Sequence, residues 1–547
     1  MKNKIFLTGF YLIYKLVLAQ PVEDWSARYN GTGNEWDDSY SIALDGAGNI
    51  YVTGYTWGSG TYEDYTTIKY NSTGTQQWVA NYNGVGNDND EAYSIAVDGS
   101  GNVYVTGYSI GDGTGADYVT IKYNSTGTQQ WATAYNGPGN STDIAYSLVI
   151  DGSGNVYVTG YSIGSGTSND YATIKYNSSG TQQWVTRYNG AGNGIDVAHQ
   201  IVIDGSGNTY VTGFCSGTSL TSTNYNYLTV KYNSSGTEQW ATEFDGTASN
   251  YDEAFSLAVD ESGNVYVTGI CTNTGLGIAN YDYATVKYNS SGTQLWAATY
   301  DGPANNNDFA QALTLDATPN VYVTGWSKGN GTNWDYATIK YNSSGTQQWV
   351  VRYDGPANLD DVAYSLAVDG SGNVFVTGGS KAVTYFDYAT VKYNSSGTQQ
   401  WVVRYNGPNM LNDNARSVIL DESGNIYVTG FSNQSAFNYD YATVKYTEDG
   451  GKINLTHKNT SSPHISQNFP NPFNPTTVIT FLLHDNSYVK LTVYDILGAN
   501  IVTLVDGPLY SGLHEIVFDG SDLTSGVYYY RLTVNGKSET KKMLLIK

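Results

Sequence analysis

An all-β ring of four-stranded sheets, followed by a second and smaller all-β unit, is the fold class this sequence predicts. Three observations predict it. A Trp recurs at positions 25, 78, 131, 184, 240, 296, 349 and 401, a period of 52 to 56 residues. Each period holds four short runs of near-alternating apolar and polar residues, rich in Tyr, Val, Thr and Ile and separated by Gly, Asn, Asp and Ser, the pattern of half-buried strands joined by tight turns. After residue 446 the period stops and the composition changes. Four strands per repeat, copied many times, predict a β-propeller or a β-solenoid.

The N-terminal 1–19 read as a secretory signal: Lys2 and Lys4, an apolar run from Ile5 to Leu18 interrupted by Lys15, and Val17 with Ala19 as small residues before a cleavage point. The run is too short and too interrupted to predict a membrane anchor, so the mature chain is expected to begin near Gln20, to carry no transmembrane segment and to work outside the cytoplasm. Only 14% of the 547 residues are charged, while Gly (62) and Tyr (51) are abundant, which suits many strands and excludes disorder. The formal charge of −23 disfavours nucleic acid and anionic membrane as partners and leaves cationic ligands and Ca²⁺ open.

Residues 20–446 are the repeat region. The least polar run, such as SIALD or SIAVD, is the expected innermost strand; VYVTG is the second, YATVKY the third and QQWVxRYNG the outer one. The first three occur eight times and end at Tyr446, with no outer strand after the last copy; the missing run is Trp25–Asn30. The N-terminal strand therefore completes the last blade, which predicts an eight-bladed β-propeller with no free sheet edge. The alternatives are a seven-bladed ring with one copy outside and an open solenoid, which would need capping repeats.

Turns sort the two ends of the ring. Asp45, Asp98, Asp151, Asp204, Asp260, Asp369 and Asp421 each open a D-x-x-G-N hairpin turn, and one copy departs with Asp316 and Pro319. These turns are too short and too poor in carboxylates for an EF-hand. With the N-S-S/T-G-T turns they occupy one face, so the variable loops, including 55–63, 214–225, 270–281, 326–334 and 431–439, gather on the other, where binding is expected. Trp57, Trp326 and Trp334 mark that face as a candidate surface for a glycan or protein ligand.

One Asp recurs just before each innermost strand, at 37, 90, 143, 196, 252, 308, 361 and 413. Eight carboxylates there would either ring the channel mouth and take Ca²⁺ or another cation, or cap their own loops. The third strand repeats a Lys, from Lys69 to Lys445, and an opening Asp, from Asp64 to Asp440 with Asn226 as the exception; both are read as polar ties between blades. Cys215 and Cys271 follow the second strand in consecutive repeats. They either form a disulfide, if loops close the gap of roughly 10 Å between packed sheets, or remain two small half-buried residues. No His/Cys metal cluster and no Ser–His–Asp set can be assembled, so no catalytic residue, metal or other cofactor is assigned. Neighbouring carboxylates at Asp37/Asp38, Asp90/Glu91, Asp252/Glu253 or Asp360/Asp361 keep an extracellular polysaccharide hydrolase or lyase as the alternative to a non-enzymatic binding or structural module.

Residues 447–466 read as a linker, and 467–547 as about seven short strands, the size of a small β-sandwich, entered by Pro470, Pro472 and Pro475. The runs NFPNPFNPT (468–476), VYDILG (493–498), SGVYYYRL (525–532) and the terminal KKMLLIK (541–547) make this tail closely resemble the C-terminal sorting domain of type IX secretion cargo. The resemblance implies export across the outer membrane, with the secretion machinery as partner and the protein secreted or held at the cell surface. Gly101–Gly107 and Asp117–Tyr123 likewise resemble the bacterial β-propeller repeat family named for seven-bladed propellers, although eight copies are present. A propeller is a scaffold used for many functions, so this second resemblance implies no activity.

Overall fold

The computed structural model describes residues 20–448 and 464–547, apart from 112, 218–223, 247–249, 274–279, 383, 410, 436–437, 466–467, 469–470, 472, 484–486 and 510–511. The expected signal (1–19), most of the linker, Pro470 and Pro472 lie outside the described residues. The described residues form no helix, and hence no helix long and apolar enough to cross a membrane.

Within Glu23–Thr447, one compact unit, the described strands form four-stranded antiparallel sheets, the blades of a propeller. Seven are contiguous in sequence: Asp37–Tyr82, Asp90–Tyr135, Asp143–Tyr188, Asp196–Phe244, Glu253–Tyr300, Asp308–Tyr353 and Asp361–Tyr405. They are called sheets 1 to 7. Sheet 8 takes its first three strands from Asp413–Thr447 and its outer strand from Val22–Tyr29.

Every innermost strand breaks its register with the second strand by one residue. The skipped residues are Tyr40, Tyr93, Tyr146, His199, Phe255, Gln311, Tyr364 and Arg416. A bulge of this kind bends the strand and re-aims one side chain. It also explains the Gly of every VYVTG run. A Cβ on Gly54 would fall inside the van der Waals shell of the Asp38 carbonyl oxygen, and one on Gly107 inside that of Glu91.

Neighbouring sheets meet through one repeated set of contacts. The Tyr that begins each third-strand apolar run is fully buried, and its hydroxyl donates to a carbonyl of the next sheet, as in Tyr65 to Val119 at 3.1 Å and Tyr118 to Ala172 at 3.1 Å. The outer-strand Trp donates from Nε1 to a Ser carbonyl in the next sheet's N-S-S/T-G-T turn, as in Trp78 to Ser125 at 3.1 Å, and lies against that turn's Gly. The recurrent Lys packs over the second-strand ring, 5.0 Å for Lys69 on Tyr51, and donates to the same Ser carbonyl at 3.3 Å. These contacts continue from sheet 8 to sheet 1: Tyr441 donates to Thr66 at 3.2 Å, Trp25 to Ser72 at 3.1 Å and Lys445 to Ser72 at 3.4 Å. Each junction buries its own apolar cluster, the one between sheets 8 and 1 joining Ile42, Ile50, Val52 and Ile68 to Tyr427 and Tyr441.

The recurrent Lys is thus a tie between blades, as expected, whereas the third-strand Asp works within its own sheet. Asp170, Asp335, Asp387 and Asp440 take Arg187, Arg352, Arg404 and Arg28 of the outer strand at 2.8 to 3.1 Å. Sheet 4 reverses the polarity, with Asn226 donating to Glu243 at 2.9 Å.

The tail is a separate unit. Its described strands form a three-stranded and a four-stranded sheet over one core that includes Ile465, Ile479, Phe481, Leu491, Tyr530, Leu532 and Met543.

Candidate binding face

The bulges build the site. Because innermost strands of consecutive sheets lie side by side, their re-aimed residues form a continuous arc: Tyr40 to Tyr93 at 5.3 Å between ring centres, Tyr93 to Tyr146 at 5.6 Å, Tyr146 to His199 at 5.6 Å and His199 to Phe255 at 5.5 Å. In sheet 8 the same position holds Arg416, whose guanidinium lies 5.8 Å from the Tyr40 ring and 5.3 Å from that of Tyr364. Arg416 pairs with Asp38 at 2.8 Å. Burial drives the Asp38 carboxyl upward against that guanidinium.

Next to this arc stand two carboxyl groups that do not follow the repeat. Glu63, which opens the third strand of sheet 1, is hydrogen-bonded to Glu91 of sheet 2. Glu91 also accepts from Tyr93 at 3.0 Å and Tyr108 at 2.6 Å. Burial first, and then the adjacent Glu91 charge, push the Glu63 carboxyl up to about 8, so Glu63 keeps its proton at neutral pH. On the far side of the arc, Glu253 accepts from Tyr251 at 2.6 Å and meets His199 Nε2 at 2.7 Å.

Two aromatic platforms flank these groups. Trp326 stacks on Phe309 at 5.4 Å, Trp334 meets Phe309 edge-on at 5.7 Å, and Tyr364 closes on Trp326 at 5.8 Å. Trp57 meets Tyr62 edge-on at 5.7 Å, and Trp36, 45% exposed, meets Tyr439 at 5.8 Å. Trp326 and Trp334 are therefore brought together, whereas Trp57 belongs to a second platform in sheet 1.

The eight recurrent Asp residues do not line a channel mouth. All are fully buried, and each accepts from a Gly N–H six residues earlier, at 2.5 to 2.6 Å. All but Asp361 also accept a backbone N–H twenty residues on, at 2.7 to 3.2 Å. They staple the two loops of each blade. Burial raises them against these bonds, to about 7 for Asp37 and about 6 for Asp90, Asp196, Asp252, Asp308 and Asp361. The adjacent pairs Asp37/Asp38, Asp90/Glu91, Asp252/Glu253 and Asp360/Asp361 are not assembled as carboxylate pairs: the recurrent Asp is committed to its loops, while Asp38, Glu253 and Asp360 bind Arg416, His199 and Lys381.

Two other clusters bring three carboxylate oxygens within 4.8 Å of one another, Asp282/Asp301/Asp308 and Asp335/Asp354/Asp361. A cation could be held there; in the second, Arg352 already supplies positive charge beside Asp335. The D-x-x-G-N carboxylates are filled by donors. Asp45 accepts two backbone N–H groups, Asn49 Nδ2 and Tyr51 OH, all at 2.7 to 2.9 Å, and Asp316 keeps the same scheme despite Pro319. A groove of about 530 Å³ between such turns, lined by Asp151, Tyr157, Lys175 and Asp204, lies on this invariant face.

Cys215 and Cys271 are buried free thiols, which corrects the disulfide reading. Each packs into the junction with the preceding sheet, Cys215 against Tyr171 and Cys271 against Tyr227. They are thus parted by the thickness of a blade, roughly 10 Å against the 7 Å or less that a disulfide spans.

Sequence comparison agrees with this architecture. Residues 24–60, 77–113, 130–166 and 239–270 match the model of the beta-propeller repeat, and residues 467–547 match that of the secretion system C-terminal sorting domain. An uncharacterized WD repeat-containing protein of Acanthamoeba polyphaga mimivirus is 23% identical over 484 residues, 69% of this chain but 32% of that protein, so the match spans about a third of the relative's length. Among solved structures, Sqt1 from Chaetomium thermophilum aligns with 79% of this chain and 100% of its own at 10% identity and a TM-score of 0.48. PorZ, a bacterial surface component of the type-IX secretion system of Porphyromonas gingivalis, aligns with 92% of this chain and 74% of its own at 12% identity and a TM-score of 0.26. A sorting domain of this kind implies handling by the secretion machinery and export to the cell surface or beyond.

Proposed function

We propose that this chain, which carries beta-propeller repeats and a secretion system C-terminal sorting domain, is an exported, non-enzymatic binding module built on a ring of eight blades. Ring closure is supported by the junction between sheets 8 and 1, which uses the same Tyr, Trp and Lys bonds as the other junctions. The ligand is a glycan held on the variable-loop face. The observation that carries this reading is the pair of aromatic platforms, Phe309/Trp326/Trp334 and Trp57/Tyr62, on the one face where the repeats differ. Flat rings bind the apolar faces of sugar rings, and fixed polar groups around them set orientation.

Glu63 and Glu91 favour the hydrolase as the second reading, since one of two adjacent carboxyls is held protonated. Their direct hydrogen bond weighs against it, because glycoside hydrolysis places its carboxyls at least about 5 Å apart. A glycan array and a polysaccharide pull-down with the mature protein, followed by product analysis, separate the readings. Binding that is lost in W334A or W57A and releases no oligosaccharide supports the module; released oligosaccharides transfer the function to the carboxyl pair; no glycan bound refutes the glycan reading.

A further inference from the structure

The tyrosines and carboxyls where sheets 1 and 2 meet have no part in the glycan platforms. Tyr40 and Tyr93 lie 5.3 Å apart between ring centres, Tyr40 and Tyr55 5.9 Å, and Tyr93 and Tyr108 6.0 Å. Glu91 receives the hydroxyls of Tyr93 and Tyr108 and is bonded to Glu63. All six side chains are half-buried, so they are held in place yet reachable from solvent. Among the described residues neither Glu forms an ion pair with a Lys or Arg.

One step back around the arc, the protein shows what such an arrangement holds. At the junction of sheets 8 and 1 the bulge position is Arg416, a cation laid against the Tyr40, Tyr364 and Phe431 rings and paired with Asp38. Asp38 and Glu91 occupy the same repeat position, each the residue after the recurrent Asp. Glu91 thus repeats the carboxylate that Arg416 satisfies, but the preceding sheet supplies Tyr40 where sheet 8 supplies the guanidinium of Arg416. We infer that Tyr40, Tyr55, Tyr93, Tyr108, Glu63 and Glu91 form a binding site for an organic cation, an ammonium or guanidinium group brought by the ligand. Electron-rich ring faces and a carboxylate are the recognition chemistry for such a group. Of two adjacent carboxyls one holds its proton well above the usual carboxylate range, so at neutral pH the incoming cation takes the place of that proton, which leaves to solvent. Other titratable groups facing the pair are Asp38, Arg416 and Tyr146 and, behind Tyr108, Asp90.

The test is isothermal titration of the mature chain with tetramethylammonium and with methylguanidinium, at fixed ionic strength, at pH 7 and pH 9 and in two buffers of different ionisation enthalpy. Both probes keep their charge across this range. With Glu63 pushed up to about 8, its carboxyl is ionised in roughly one molecule in eleven at pH 7 and about ten in eleven at pH 9. Binding is therefore expected to tighten about tenfold, with about one proton released per cation bound at pH 7. E63Q and E91Q each abolish the proton release, and tert-butanol, the neutral isostere of tetramethylammonium, does not bind. The wild-type pH dependence and the neutral control need no variant to fold. Heats equal to those of added NaCl, equal affinity for the neutral isostere, pH-independent affinity, or Ca²⁺ occupying the pair in place of both organic cations would each overturn the assignment. None of these results depends on whether a glycan binds the platforms.

Discussion

Replacing Trp25 with Ala tests whether the N-terminal strand is a structural part of the ring. Trp25 donates to the Ser72 carbonyl at 3.1 Å, contacts Tyr70 and Tyr427 at 6.2 and 6.3 Å and lies on Gly74. Trp131 makes the same contacts inside the chain, with Ser178 at 3.2 Å, Tyr176 and Tyr104 both at 6.4 Å, and Gly180. Both indoles are half-buried, so each loss is worth less than the 3–5 kcal/mol of a fully buried Trp. About 2 kcal/mol of packing and about 1 kcal/mol of hydrogen bond remain. Unfolding entropy scales with length, which for a unit of this size turns about 3 kcal/mol into a drop of about 3 °C in Tm. Thermal melting followed by circular dichroism should therefore give equal drops for W25A and W131A. A Tm unchanged in W25A while W131A falls would refute closure through the N-terminal strand, as would an unchanged Tm on deletion of residues 22–30.

Three further outcomes follow from the same geometry. Burial pushes six of the recurrent Asp residues, Asp37, Asp90, Asp196, Asp252, Asp308 and Asp361, up from the usual 3.8 to about 6 to 7, and raises Asp143 and Asp413 as well. The folded state then binds more protons between about pH 4 and pH 7, so this stabilisation is complete below pH 4 and is lost as pH rises through 6 to 7; calorimetry should show a higher Tm at pH 5.5 than at pH 8, and a flat or rising trend would contradict it. G107A, which drives a methyl group into the Glu91 carbonyl, should cost about 3 kcal/mol, read from denaturant melts against the near-neutral G99A, whose Cβ meets nothing within 4 Å. Ellman titration should find two thiols in denaturant and none in the native protein, with the same Tm with and without reductant; one disulfide in the native state would refute the placement of Cys215 and Cys271.

The frame was legible because it repeats. Strand number, turn positions and the outer strand at Trp25–Asn30 all follow from period and alternation, and the D-x-x-G-N turns behave as read, even at Asp316 with its Pro319. Alternation misled at the bulge. It gives no sign that Tyr40 or Arg416 is re-aimed, although the Gly of each VYVTG run was a clue, since a central strand seldom keeps Gly without a close backbone approach. The eight recurrent Asp residues look like ligands in sequence because carboxylates attract that reading, yet a group repeated in every blade serves the blade. Glu63 was missed for the opposite reason. It fills the position taken by Ala116, Asn169, Tyr225, Tyr281, Trp334, Phe386 and Tyr439 in the other repeats, so the signal was its departure from them, and its partner Glu91 lies in the next repeat.

The central claim is that symmetric residues build the ring while the residues that break symmetry bind. Measuring ligand affinity and Tm together for W131A and W334A tests it most directly, using whichever glycan the screen returns. W131A should lower Tm by about 3 °C with affinity unchanged, and W334A should weaken binding at least about tenfold, a loss of about 1.4 kcal/mol, with Tm nearly unchanged. Affinity and Tm falling together in both variants would contradict the division of labour between frame and face.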